Sequence, residues 1–170
     1  MLVVIWVVEG TWRSCISAAR QLVPPDAEIV LLHVTGPDSH AVAHGAFAGM
    51  LGRGHPERDP SALIDSDAEV AAHELLAAAA AGLPGTATQV QRRGRVEREV
   101  VAAAEGAELL VLARDGERSR LGPKSLGPAS RFVVDHAPCP VLLVWPEQPP
   151  GVETIPPPPR PPPHAPTDHP

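Results

Sequence analysis

Residues 106–144 read GAELLVLARDGERSRLGPKSLGPASRFVVDHAPCPVLLV, and the order of features in this stretch decides the fold. An aliphatic run at 108–113 is followed by a long glycine-bearing loop. A helical pattern from Gly127 or Pro128 and a second aliphatic run at 140–145 come next. Strand, loop, helix, strand is the unit of a parallel sheet, and the loop after a strand's carboxyl end opens onto the ligand crevice. This loop carries Arg114, Arg118, Arg120 and Lys124, with Arg131 just inside the helix, against Asp115 and Glu117. The local excess of three positive charges stands out in a chain whose formal net charge is −6. A basic loop feeding a helix N-terminus is a physically sensible place for a phosphate.

The same alternation extends toward the N-terminus. Residues 2–8 form an aliphatic strand. A helix follows over 11–22, with Trp12, Ile16, Ala19 and Val23 on one face, and Pro24-Pro25 stops it. A second strand covers 28–34. Residues 35–60 are rich in Gly, His and Pro without periodicity, and loops this long inside a domain are usually functional or disordered. Residues 61–81 read as a helix, and 86–91 as a short polar strand suited to a sheet edge. Residues 96–105 read as a helix and 108–113 as the fourth strand. Five strands alternating with four helices predict a doubly wound α/β fold with a parallel sheet. Spacing alone leaves the strand order open.

Composition sets the limits. The 170 residues suit one domain, 1–146, and a tail, 147–170, that holds 11 of the 22 prolines and is expected to be disordered. Its PPPPRPPP run resembles a PxxP ligand, with a linker or solubilising tail as the plainer reading. The sequence pI of about 5.7 argues against general nucleic-acid binding. The N-terminal apolar run is too short to span a bilayer and lacks the basic flank and cleavage site of a leader. Two cysteines, Cys15 and Cys139, do not make a disulfide framework. A cytoplasmic protein without membrane association is expected. No Walker-type loop, G-x-S-x-G or Ser/His/Asp set occurs, so at most slow ATP hydrolysis is expected. His40, His44 and His55 lie in the long loop without a cysteine or acidic cluster, and solvated histidines are expected there rather than a metal site.

Several segments carry a family resemblance. VVEGTWRSCISAARQLV, LLHV, RGRVEREVVAAAEGAELLVLA and HAPCPVLLVW occur in the order typical of universal stress proteins, and together they cover most of residues 1–146. The resemblance implies a flavodoxin-like, Rossmann-like sheet of order 3-2-1-4-5 and frequent dimerisation. In one subfamily it also implies ATP, with Mg, bound at Gly-x2-Gly-x9-Gly-Ser/Thr after the fourth strand. Here Gly116 and Gly127 match that motif. Ala113 replaces its first glycine, the spacing is one residue longer, and Pro128 stands at the Ser/Thr position; Ser130 matches a hydroxyl often found two residues later. Ala113 adds a methyl where backbone would approach a ligand, and Pro128 removes an N–H and a hydroxyl. Glu9 stands where ATP-binding members have Asp, with helix capping as its alternative role. Val34 matches a position lining the family's adenine pocket, or is ordinary core.

Two functions from the resemblance are therefore weighed. One is a stress-response binding or regulatory module with a degenerate adenine-nucleotide site at Glu9, Val34, Ala113, Gly116, Gly127 and Ser130. The other is a nucleotide-free dimeric scaffold. An enzyme or electron-transfer protein on the same fold is a distant third. The apolar edge from Val141 to Trp145 is expected to pair in a homodimer.

Overall fold

The computed structural model describes residues 1–36 and 60–157. Among them the chain forms β1 (Leu2–Trp6), α1 (Trp12–Leu22), β2 (Glu28–Thr35), α2 (Pro60–Ala81), β3 (Ala87–Arg93), α3 (Val96–Ala103), β4 (Leu109–Ala113), α4 (Pro128–His136) and β5 (Val141–Val144). The strands make one sheet of order β3-β2-β1-β4-β5, parallel at every pairing. The order implied by the resemblance is the order observed.

The aliphatic strands explain the layering. Side chains alternate across a strand, so each central strand feeds two cores. Val3, Ile5 and Val7 of the first strand segment join Leu31, Val111, Cys15, Ile16, Ala19, Leu76 and Ala79 on the α1–α2 face. Val4 and Trp6 join Leu32, Val34, Leu110, Leu112, Val100 and Val133 on the α3–α4 face. Ile5, Leu31, Leu110 and Leu112 are fully buried, and each side chain so buried stabilises the fold by about 1.5–3 kcal/mol. With few aromatics, the helices approach the sheet on Ala and Val.

The two sheet edges differ as their sequences do. β3 alternates polar and half-buried residues, whereas every residue of β5 is aliphatic and half-buried. The direction in which strands are added reverses between β1 and β4: β1 leads outward through β2 to β3, and β4 leads the other way to β5. The carboxyl ends of β1 and β4 therefore flank the switch point where open α/β sheets bind ligands.

Residues 37–59, including His40, His44 and His55, lie outside the described residues, as does the tail from residue 158. Within the segment after β5, Val152–Thr154 makes a single 3-10 turn. Its Thr154 Oγ1 accepts a hydrogen bond from Leu121 N–H at 3.0 Å, so the chain folds back over the loop that follows β4.

Candidate functional site

The crevice has two halves, built from opposite sides of the switch point. The first lies over β1 and β2. There Glu9 and Gly10 are exposed in the turn into α1, with Gly10 at φ +80°, a conformation glycine adopts without cost. His33 and Thr35 reach the same side from β2. They line a cavity of about 700 Å³ together with Glu9, Trp12, Arg13 and Glu74. His33 Nδ1 lies 2.9 Å from the Val7 carbonyl oxygen. Since that oxygen only accepts, Nδ1 carries the proton and the ring is pinned to the end of β1. A neighbouring cavity of about 300 Å³ shares Thr35 and adds Gln91, Arg92 and Arg93. Thr35 Oγ1 is buried there without a hydrogen-bond partner among the described residues.

Val34 points the other way. It is 7% exposed in the α3–α4 core, while its neighbours His33 and Thr35 line the cavity. Strand alternation separates them.

The second half is the loop between β4 and α4, and most of its polar groups are engaged with one another, while Arg114 Nε is buried without a hydrogen-bond partner among the described residues. Arg114 continues the β4–β5 ladder, its N–H donating to the Val144 carbonyl at 2.9 Å. Its guanidinium donates to Ser125 Oγ and lies 4.8 Å from the centroid of the Trp145 ring, a cation–π distance. Ser125, 1% exposed, in turn donates from its hydroxyl to the Gly122 carbonyl at 2.7 Å. The loop's two limbs are bonded as a ribbon: Gly116 N–H to Ser125 O at 3.0 Å and Glu117 N–H to Lys124 O at 2.8 Å. Arg131 donates back to the Pro123 carbonyl. Arg120 pairs with Glu117 at 3.1 Å, and Arg118 pairs with Glu147, beyond β5, at 3.0 Å. Hydrogen bonds from Arg120 and then Ser119 hold the Glu117 carboxyl below its ordinary value.

At the head of this loop, the Gly127 N–H donates to Asp115 Oδ1 at 2.7 Å. Gly127 is the residue before α4, so a carboxylate of the chain itself stands at the helix N-terminus, where the partial positive charge of the helix favours an anion. Asp115 was visible in the sequence only as a countercharge. Twelve positions separate the pair, and no local pattern couples them. Both matched glycines acquire an internal reason. A Cβ at Gly116 would lie 2.3 Å from the Lys124 carbonyl oxygen, and one at Gly127 would lie 2.9 Å from Asp115 Oδ2.

The sequence-derived site residues are thus distributed rather than gathered. Glu9 belongs to the open half and Val34 to the core. Ala113 is 7% exposed in the α1–α2 core. Gly116 and Gly127 shape the closed loop. Ser130, 1% exposed inside α4, presents almost no surface to a ligand.

The phosphates of an ATP do not fit the loop in this form. The Gly127 N–H is taken, Pro128 has none, and the Asp115 carboxylate repels a second anion. Among the described residues, no group of three His, Cys, Asp or Glu side chains could hold a metal ion. None of the described helices is long and apolar enough to cross a membrane.

Fold and crevice together define a doubly wound α/β protein whose sheet has the Rossmann-like order 3-2-1-4-5. The sequence model of the universal stress protein family matches residues 15–144, and the chain belongs to that family. Solved structures share the fold. A universal stress protein in complex with cAMP is 16% identical over 86% of this chain and 98% of its own, with a TM-score of 0.57. A universal stress protein from Archaeoglobus fulgidus is 18% identical, covering 85% and 98%, with a TM-score of 0.55. UspA from Lactobacillus plantarum is 19% identical, covering 85% and 97%, with a TM-score of 0.54. No match was found among curated protein sequences.

Proposed function

We propose that this protein is a non-enzymatic stress-response binding module of the cytoplasm that takes a small adenine-bearing ligand in the β1–β2 half of its crevice. The observation that carries this reading is the cavity of about 700 Å³ at the carboxyl ends of β1 and β2, with Glu9 and His33 among its lining residues. Its size falls within the range of small-molecule sites, which combine apolar walls with a few placed polar groups. The Glu9 carboxylate is suited to accept from hydroxyls and repels phosphates, so a nucleoside or a nucleotide with one phosphate suits the cavity better than a triphosphate. The relative crystallised with cAMP supports this choice of ligand class. Two free thiols are consistent with a reducing compartment.

The module is proposed to act as a homodimer through β5. Four consecutive half-buried aliphatic residues on an edge strand need pairing or covering.

A second reading, a nucleotide-free dimeric scaffold, is favoured by the Asp115 carboxylate on the Gly127 N–H. Calorimetric titration with cAMP, AMP and Mg-ATP separates the two. Micromolar binding of cAMP or AMP, weakened in Glu9→Ala, is the expected result. No heat with any of the three at millimolar concentration would leave the scaffold standing. Light scattering at micromolar protein should give a dimer, and a monomer there would sink the β5 interface.

A further inference from the structure

The mismatch between this loop and a phosphate chain is itself informative. In a basic loop running into a helix N-terminus, the expected occupant is an anion from outside. Here the chain supplies its own. We propose that Asp115 is the resident anion of the β4–α4 loop and the residue that decides ligand specificity, holding the loop shut against polyphosphates. The inference rests on the reading that ligands enter this crevice.

Four features of the loop argue for it. First, the bond from Gly127 N–H to Asp115 Oδ1 is short, 2.7 Å, as charge-assisted bonds are. Second, glycine at 127 leaves the room that the Asp115 carboxylate occupies, since a Cβ there would lie 2.9 to 3.1 Å from its atoms. The residue that resembles a phosphate-approach glycine is accounted for by the chain's own side chain. Third, four of the loop's five cations are bonded within the chain, with Lys124 left exposed: Arg114 to Ser125, Arg131 to the Pro123 carbonyl, Arg120 to Glu117 and Arg118 to Glu147. Fourth, the segment beyond residue 144, where the family match ends, straps the outside of the loop. Thr154 Oγ1 accepts from Leu121 N–H, and Thr154 Oγ1 also donates to the Gly151 carbonyl at 2.7 Å. Closure is thus made from within by Asp115 and from without by residues 147–154.

The test uses the full chain and three probes: Mg-ATP, inorganic tripolyphosphate and adenosine. Asp115→Ala removes the resident anion. Asp115→Asn keeps an acceptor for Gly127 N–H but drops the charge, which guards against a loop that fails to fold in the first variant. Thr154→Val releases the strap alone. Asp115→Ala should tighten ATP and tripolyphosphate by on the order of tenfold, because the helix N-terminus and its N–H become free for phosphate. Asp115→Asn should fall between it and the wild type, Thr154→Val should gain a few fold, and adenosine should bind all four proteins alike. Wild type binding tripolyphosphate as tightly as the cooperatively melting variants overturns the proposal. So does the absence of any gain in both Asp115 variants. If the Asp115 variants gain tripolyphosphate while no protein binds adenosine, Asp115 keeps its role and the adenine reading falls. If adenosine binds throughout and ATP never tightens, the adenine reading stands and the role of Asp115 falls.

Discussion

The two halves of the crevice sit on the same sheet yet have opposite characters. Over β1 and β2 the strand ends leave a wide cavity, with polar side chains spaced apart and Thr35 Oγ1 lacking a partner among the described residues. Over β4 the loop is densely charged, and most of its groups bond to one another. Charge density therefore does not mark the half with the wide cavity. Buried polar groups are generally satisfied, and a loop rich in both signs can satisfy most of its own, Arg114 Nε excepted. The difference teaches that a basic loop in sequence is a supply of cations, whereas an open site needs cations left over after folding.

The largest expected effect tests what holds the closed half in place. Leu112 is fully buried just before the loop, so Leu112→Ala should cost about 2–5 kcal/mol in chemical denaturation. Leu75 lines the open cavity and is only half-buried, so Leu75→Ala should cost clearly less. Equal losses would mean that the open half is as tightly packed as the closed one.

A smaller effect separates two glycines. At Gly116 the added methyl meets the Lys124 carbonyl oxygen, so Gly116→Ala should cost about 1–3 kcal/mol through overpacking. Gly10 has open space around it, and only its φ of +80° opposes a side chain, so Gly10→Ala should cost about 1–2 kcal/mol. Hydrogen exchange should show loop 116–125 loosened by the first substitution and untouched by the second. An unchanged loop in Gly116→Ala would break the account of its closure.

The least disruptive probe is thiol chemistry. Burial of Cys15 under the open half pushes its thiol up to about 12 from an ordinary 9.0, and partial burial raises Cys139, before β5, as well. The thiolate is the reactive form. At pH 8 a disulfide reagent should modify Cys139 slowly and leave Cys15 silent until denaturant is added. Because the Cys15 value is raised on folding, its contribution to stability is complete below pH 9 and lost as the pH climbs toward 12. Rapid labelling of Cys15 at pH 8 would show that α1 opens far more readily than its packing indicates.

Most of the architecture was legible because it rests on periodicity. The runs at 2–8, 28–34 and 108–113 are apolar on both faces, which only a sheet covered on both sides accommodates. The polar character of 86–91 marked an edge, and β3 is one. Element ends moved by a residue or two, as with β3, which begins at Ala87 and runs to Arg93. The site was less legible. Gly116 and Gly127 stood out by motif, but the same spacing serves a bound phosphate and a self-bonded loop equally. The role of Val34 turned on which face of β2 it occupies, one residue away from His33 and Thr35. Asp115 and Thr154 carried no signal, since each bonds to backbone brought near only by folding.

By itself, the sequence determined the alternation of strands and helices, the two-sided core and, by resemblance, the family and strand order. Hydrophobic burial follows local spacing, which the chain spells out residue by residue. Only the tertiary structure decided that the β4 half of the crevice bonds to itself. A carboxylate's partner depends on which donors lie within about 3 Å after folding, and the Gly127 N–H reaches Asp115 across twelve positions of loop that no local pattern encodes.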